Sequence, residues 1–109
     1  IVQGIGWTTM EEIIYNDEGK LLSNALSTYK IPDIYSIPKT LEIKFLNTDG
    51  NDMAIFKSKA VGEPPLMYGI GAYFAIRNAV LAFNPASAIS YSAPITPEKV
   101  LMGLYSNGK

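Results

Sequence analysis

An apolar run fenced by prolines constrains this chain more than any other feature. Pro64-Pro65 opens it and Asn84-Pro85 closes it; between them Met67, Ile70, Phe74, Ile76, Ala79, Val80 and Phe83 recur at helical spacing. Proline fits the first turn of a helix, where its missing N–H is not needed, and cannot continue one, so the two fences predict a single long helix. The apolar residues cover more than one face, which predicts a helix buried between layers.

The rest of the chain has to supply those layers, and it is short. A domain of 109 residues buries roughly two-thirds of the surface its unfolded chain exposes. Its hydrophobic fraction of 48% against a charged fraction of 17% is apolar enough to predict that some surface is meant for a partner domain. The sequence opens Ile1-Val2-Gln3-Gly4-Ile5-Gly6-Trp7, without Met and without a cap, which reads as the inside of an apolar element. Residues 1–109 are therefore expected to be one incomplete domain cut from a longer protein.

Val2, Ile5, Met10 and Ile13 predict an N-terminal helix over residues 1–12 despite Gly4 and Gly6, each costing up to about 1 kcal/mol in a helix interior. The two glycines are read as points where another element comes close, because the third glycine of a dinucleotide fingerprint is missing. Ile13-Ile14-Tyr15, Asn16-Asp17-Glu18-Gly19 and Lys20-Leu21-Leu22 predict a β-hairpin with Gly19 at positive φ. Residues 23–39, broken by Pro32 and Pro38, predict an irregular connection. In Thr40-Leu41-Glu42-Ile43-Lys44-Phe45-Leu46 polar and apolar residues alternate, which predicts a further strand. Thr96-Pro97-Glu98 reads as N-cap, proline at the first helical position and first-turn acid, opening a short C-terminal helix to Tyr105 that Gly108 ends. The fold class expected is α+β. Trp7 is read as a packing anchor, and Met10, Met67 and Met102 as core gap-fillers.

Much chemistry is excluded. Net charge is −1 and the cations are scattered, so no footprint for nucleic acid or an anionic membrane is present. With no cysteine and no histidine there is no disulfide, thiolate nucleophile, iron–sulfur ligand or Ser-His-Asp triad, and no common zinc site. No uninterrupted apolar run reaches the roughly 18 residues a membrane span needs, and no signal-peptide pattern opens the chain, so the expected compartment is the cytoplasm. Asp49 and Asp52 in the turn Asn47-Thr48-Asp49-Gly50-Asn51-Asp52 have the wrong spacing for a calcium loop, and Phe56 stands where its glutamate would be.

One carboxylate stands apart. Glu63 follows Gly62 and precedes Pro64-Pro65, at the entrance to the long helix. Burial there would favour the protonated acid, whereas a helix N-terminus favours the anion. A carboxylate poised between the two can serve as a general base near neutral pH, or it can be a first-turn glutamate that complements the helix dipole. The residues alone leave both readings open.

A resemblance bears on that choice. Lys59-Ala60-Val61-Gly62-Glu63-Pro64-Pro65-Leu66, followed by Tyr73-Phe74-Ala75-Ile76-Arg77-Asn78-Ala79, is similar to the segment that carries the catalytic glutamate in the xanthine dehydrogenase and aldehyde oxidase family of molybdenum hydroxylases. Gln3-Gly4-Ile5-Gly6, Glu11-Glu12, Leu26-Ser27-Thr28-Tyr29-Lys30-Ile31-Pro32 and Ala93-Pro94-Ile95-Thr96-Pro97-Glu98-Lys99-Val100 resemble, in order and at similar spacing, the C-terminal segment of that family's molybdenum-binding part. The likeness covers essentially the whole chain.

It implies a molybdenum–pyranopterin cofactor, with Glu63 taking the proton from a Mo–OH group whose oxygen attacks an electron-poor substrate carbon. It also implies that Gly62 lets the backbone approach the cofactor and that Pro64-Pro65 hold the base in place. No residue here is expected to ligate the metal. Gln3 could reach towards the cofactor, although the pterin-contacting glutamine is expected a few residues before Ile1, and Tyr29 and Lys30 are read as part of an ordered loop. Iron–sulfur clusters and FAD belong to domains or subunits outside the segment, which would be this chain's partners together with the remainder of the molybdenum-binding domain. The parent enzyme is expected to be an oligomer that hydroxylates a small heteroaromatic substrate, a purine such as xanthine or hypoxanthine. The alternatives are an aldehyde-oxidising or other heterocycle-oxidising member, or a non-catalytic packing fragment. The 109 residues alone are expected to be inactive.

Overall fold

Glycine decides how the first helix packs. In the computed structural model, which describes residues 1–47, 53–58, 62 and 64–105, α1 (Val2–Thr9) crosses the start of α2 (Pro65–Phe83) with backbone against backbone. A Cβ added to Gly4 would lie 1.6 Å from the Pro65 carbonyl oxygen, and one added to Gly69 would lie 2.0 Å from the Gly4 carbonyl carbon. Only residues without side chains fit at that crossing, as the close-approach reading of Gly4 predicted. Gly6 meets the ring of Pro32 in the same way, with its added Cβ 2.4 Å from Cγ.

α1 is shorter than the helix expected over residues 1–12. The Thr8 and Thr9 hydroxyls bond back to the carbonyls of Gly4 and Ile5 at 3.0 and 2.6 Å, and Met10 leaves helical geometry at φ −143°, so such back-bonding coincides with the helix end. Beyond it the two glutamates are held by different partners. Glu11 accepts from the Tyr29 hydroxyl at 2.5 Å, and Glu12 takes Lys99 Nζ at 2.9 Å.

α2 has the bounds the prolines imply. It ends at Asn84, whose side chain accepts from Ala86 N and donates to the Leu104 carbonyl at 3.2 Å. α3 (Pro97–Tyr105) is capped as expected, with Lys99 N donating to Thr96 Oγ1 at 3.3 Å. Tyr73 and Val80 of α2, Ile89 and Ile95 form the buried core, and Ile76, Leu81, Val100 and Leu104 pack against it. Gly103 of α3 lies against Ile89, where an added Cβ would sit 3.1 Å from the Ile89 Cβ, a tight contact. Gly108 lies outside the described residues, as does the turn segment 48–52.

Other expectations are corrected. Among the described residues α2 is not sandwiched between layers. Gly69, Tyr73 and Val80 are buried, while Met67, Tyr68 and Phe83 are mostly exposed, because α1 and α3 cover one stripe and the described residues offer nothing for the other faces. The 19 residues of α2, at a mean hydropathy of 1.3, are also long and apolar enough to cross a membrane by length and composition, although Arg77 and Asn78 interrupt the apolar run. Met67 and Met102 are exposed and fill no core.

The β content is corrected too. Gly19 does adopt positive φ, at 78°, and the turn forms with Asn16 N on the Lys20 carbonyl at 3.0 Å. The pairing amounts to one isolated antiparallel bridge, Tyr15 with Leu21. Arms this short do not make a stable hairpin without a third strand. Residues 40–47 are irregular and exposed, with Phe45 94% accessible. Alternation prepares a strand, but the ladder needs a neighbour, and none is present among the described residues. Helices, turns and one bridge replace the α+β expectation for the described residues.

Candidate active site

The two residues that follow Glu63 open α2 and bring it against α1. Pro64 is the N-cap of α2, with Tyr68 N on its carbonyl at 3.3 Å, and Pro65 presses its carbonyl against Gly4 of α1. Four residues on, Gly69 meets the same glycine, and its carbonyl oxygen lies 3.2 Å from Thr8 Oγ1. Thr8 is 2% exposed. Its own carbonyl accepts Ile95 N at 2.8 Å, so this one residue ties α1 to both α2 and the segment that leads into α3.

Glu63 itself lies outside the described residues, together with Lys59, Ala60 and Val61. Its place in the chain still bears on the alternative role. The helix begins at Pro65 and has no acid in its first turn, so Glu63 stands before the N-cap, outside the turn where a carboxylate complements the dipole best. Gly62 is exposed, and among the described residues a Cβ built on it would meet nothing within 4 Å. Its main chain borders open space, as a bulky group coming against the backbone would require. Among the described residues no cluster of carboxylates is close enough to hold a metal ion, so any fit to a cofactor rests on backbone and loop.

Gln3 and Trp7, also singled out from sequence, line a separate cleft. Val2, Gln3, Trp7 and Glu11 of the α1 region face Ile31 and Pro32 across an open cleft of about 320 Å³. Trp7 is 41% exposed, so it lines this cleft rather than anchoring a core. The Tyr29 bond to Glu11 straps the loop that closes the far side; that bond, helped by burial and by the carboxylate's charge, raises the Tyr29 phenol above its ordinary value. Lys30 pairs with Asp33 at 3.2 Å on the surface. The Ser36 hydroxyl and then Lys30 lower the Asp33 carboxyl, which caps the short 3₁₀ turn Ile34–Ser36.

Sequence reasoning missed Thr8, Lys99 and Arg77. A hydroxyl four residues after a close-packed glycine is the signal that marks Thr8. Arg77 stacks its guanidinium 3.7 Å over the Tyr91 ring, a contact between residues too far apart in the chain for spacing to reveal.

The class of protein follows from this arrangement together with the comparisons. Residues 1–38, which hold α1, the Gly4 and Gly6 contacts and the strapped loop, match the family described as "Molybdopterin cofactor-binding domain". The chain is 43% identical to xanthine dehydrogenase/oxidase of Rattus norvegicus over 91% of its length. It is 37% identical to xanthine dehydrogenase of Dictyostelium discoideum over 97%, and 39% identical to aldehyde oxidase 1 of Oryctolagus cuniculus over 93%. The chain belongs to the xanthine dehydrogenase and aldehyde oxidase family, oxidoreductases with a molybdenum cofactor. It spans about 8% of the length of these relatives.

Proposed function

We propose that this segment forms one wall of a molybdenum-hydroxylase active site and that Glu63 is its base. The observation that carries the reading is the clamp on Pro65: the helix start beside Gly4 fixes the chain two residues after Glu63. The cofactor, when bound, supplies the oxygen that adds to the substrate and takes up the two electrons released. Glu63 accepts the proton from that oxygen, which requires an ionised carboxylate within about 2.6–3.2 Å of it. Gly62, with no Cβ, lets the main chain border the cofactor, and the two prolines restrict the loop so that the base is held before the reaction begins.

The substrate in this reading is a purine such as xanthine or hypoxanthine, a choice supported by the similarity to xanthine dehydrogenases. An aldehyde is the second reading, favoured by the 39% identity to an aldehyde oxidase, close to the 43% for xanthine dehydrogenase/oxidase. Residues 1–109 act as part of a single molybdopterin-binding domain in a cytoplasmic oligomer that also holds iron–sulfur and flavin domains. The uncovered faces of α2 meet the remainder of that domain. A lipid-facing α2 would have to accommodate Arg77, at a cost of about 2.5–3.5 kcal/mol near a bilayer centre.

The test is anaerobic reduction of the intact parent enzyme by xanthine, wild type against Glu63→Gln at equal molybdenum content. Reduction is expected to slow by about 10²- to 10⁴-fold. Equal rates would remove Glu63 from the chemistry; no reduction of either protein would shift the substrate to an aldehyde.

A further inference from the structure

We infer that residues 40–46 are a docking strand: in the parent enzyme they pair with the open edge of a sheet that the remainder of that enzyme contributes. This needs family membership only and holds whatever Glu63 does. Thr40-Leu41-Glu42-Ile43-Lys44-Phe45-Leu46 contains neither glycine nor proline, and Leu41, Ile43 and Phe45 alternate with Glu42 and Lys44. Lys44 Nζ lies 4.0 Å from a Glu42 carboxylate oxygen, as side chains two residues apart on one face of an extended chain do. Leu41, Ile43, Phe45 and Leu46 are nonetheless exposed, and no backbone group of residues 41–46 is hydrogen-bonded to another of the described residues.

Backbone chemistry selects the occupant. While residues 40–46 face water their amides and carbonyls are solvated; once a partner covers Leu41, Ile43 and Phe45, that water is expelled and the groups need protein partners. A helix can cover the side chains, but its own backbone bonds are already made within it; a strand offers donors and acceptors at the matching spacing. The charged opposite face, Glu42 and Lys44, fits a sheet with one side towards water. A second place in the chain shows the same lack: Leu22 N donates to the Ile14 carbonyl at 2.8 Å, yet pairing stops at the Tyr15–Leu21 bridge and Ile13, Ile14 and Tyr15 stay exposed, as in a two-stranded pair that has no third strand. The chain spans about 8% of the length of its relatives, so most of such an enzyme lies outside these residues and can supply the edge.

The experiment is amide hydrogen exchange, read residue by residue on the intact, molybdenum-loaded parent enzyme, wild type against Ile43→Asp, Ile43→Thr and Lys44→Thr. In the wild type, amides within residues 41–46 are expected to exchange about 10²-fold or more slower than in an unstructured peptide. The protection falls on every second amide if one neighbouring strand is bonded and on all of them if two are. Ile43→Asp puts a charge on the apolar face and is expected to return these amides to near-peptide rates, together with those of one segment outside residues 1–109. Ile43→Thr keeps the β-branch and is expected to lose part of the same protection in the same two places, which keeps the test readable if Ile43→Asp does not accumulate as folded enzyme. Lys44→Thr, on the water-facing side, should leave both segments protected.

Peptide-like exchange of residues 41–46 in the wild type would overturn the inference. So would Ile43 variants that expose no segment outside residues 1–109, and so would protection that disappears when the enzyme is diluted to single subunits, which would make the neighbour a second copy. A helix seated across Leu41 and Phe45 in a crystal structure of the enzyme, in place of a strand, would overturn it as well. Failure of the base reading shows separately, as a Glu63→Gln enzyme that reduces at the wild-type rate.

Discussion

The three helices and the arm of residues 13–47 are both rich in isoleucine, leucine and tyrosine, yet they bury very different shares of them. In the helical part Ile95 is 2% exposed and Val80 4%. In the arm Leu26 is 82% exposed, Tyr35 92% and Phe45 94%. The radius of gyration, 18.4 Å, exceeds the roughly 13 Å of a compact domain of about 100 residues. Apolar residues are buried where the chain brings two elements into contact, whatever their periodicity. α1 reaches α2 because Gly4 and Gly69 allow it, whereas residues 40–47 meet no partner strand among the described residues.

The comparison breaks most visibly if the core and the arm respond alike. Ile95→Ala is expected to destabilise the chain by about 2–5 kcal/mol, as loss of a fully buried aliphatic side chain does; urea denaturation measures it. If Ile95→Ala cost no more than a surface change, the helical part would hold no real core.

Two glycines of α2 sharpen the point, because the same substitution should act in opposite directions. Gly69→Ala drives a methyl group into the Gly4 backbone and is expected to cost about 1–3 kcal/mol or more. At Gly71 a Cβ meets nothing within 4 Å, so Gly71→Ala gains helix propensity worth up to about 1 kcal/mol. Thermal melts that move the same way for both variants would contradict the crossing described here.

Tyr29→Phe tests the tether between the two regions. It removes the hydroxyl held by Glu11, for a loss of about 1 kcal/mol and faster amide exchange over residues 26–32, with little change in α2. The pH dependence has a defined sign. The folded Tyr29 titrates above its ordinary value of 10.0, so the tether contributes fully below pH 10.0 and is lost as pH rises through the raised value, where the phenolate can no longer donate and repels Glu11. The smallest effect is expected at Phe45: Phe45→Ala should leave the stability of this chain within about 0.5 kcal/mol, by the same denaturation measurement.

What sequence could show follows the same division. α2 and α3 were legible because proline and the Thr96 cap act locally, and so was the positive φ of Gly19. The close packing of Gly4 was legible as a type of contact; its partners, Pro65 and Gly69, were not, since nothing local names residues 61 and 65 positions away (65 − 4 and 69 − 4). The strand over residues 40–46 failed for the opposite reason: its pattern is local, but its existence depends on a neighbour. Glu63 stood out as an acid in an apolar collar, and the proposal that it is catalytic rests on resemblance. The contact of Thr8 with Gly69 beneath the glycine crossing became visible only in three dimensions.

The measurement that bears most directly on the central claim is a crystal structure of the intact, molybdenum-loaded parent enzyme, read at Glu63. The account predicts its carboxylate about 2.6–3.2 Å from the reacting oxygen of the cofactor, with Gly62 bordering the same group and Pro65 still seated against Gly4. A Glu63 turned to bulk solvent, away from the cofactor, would contradict it.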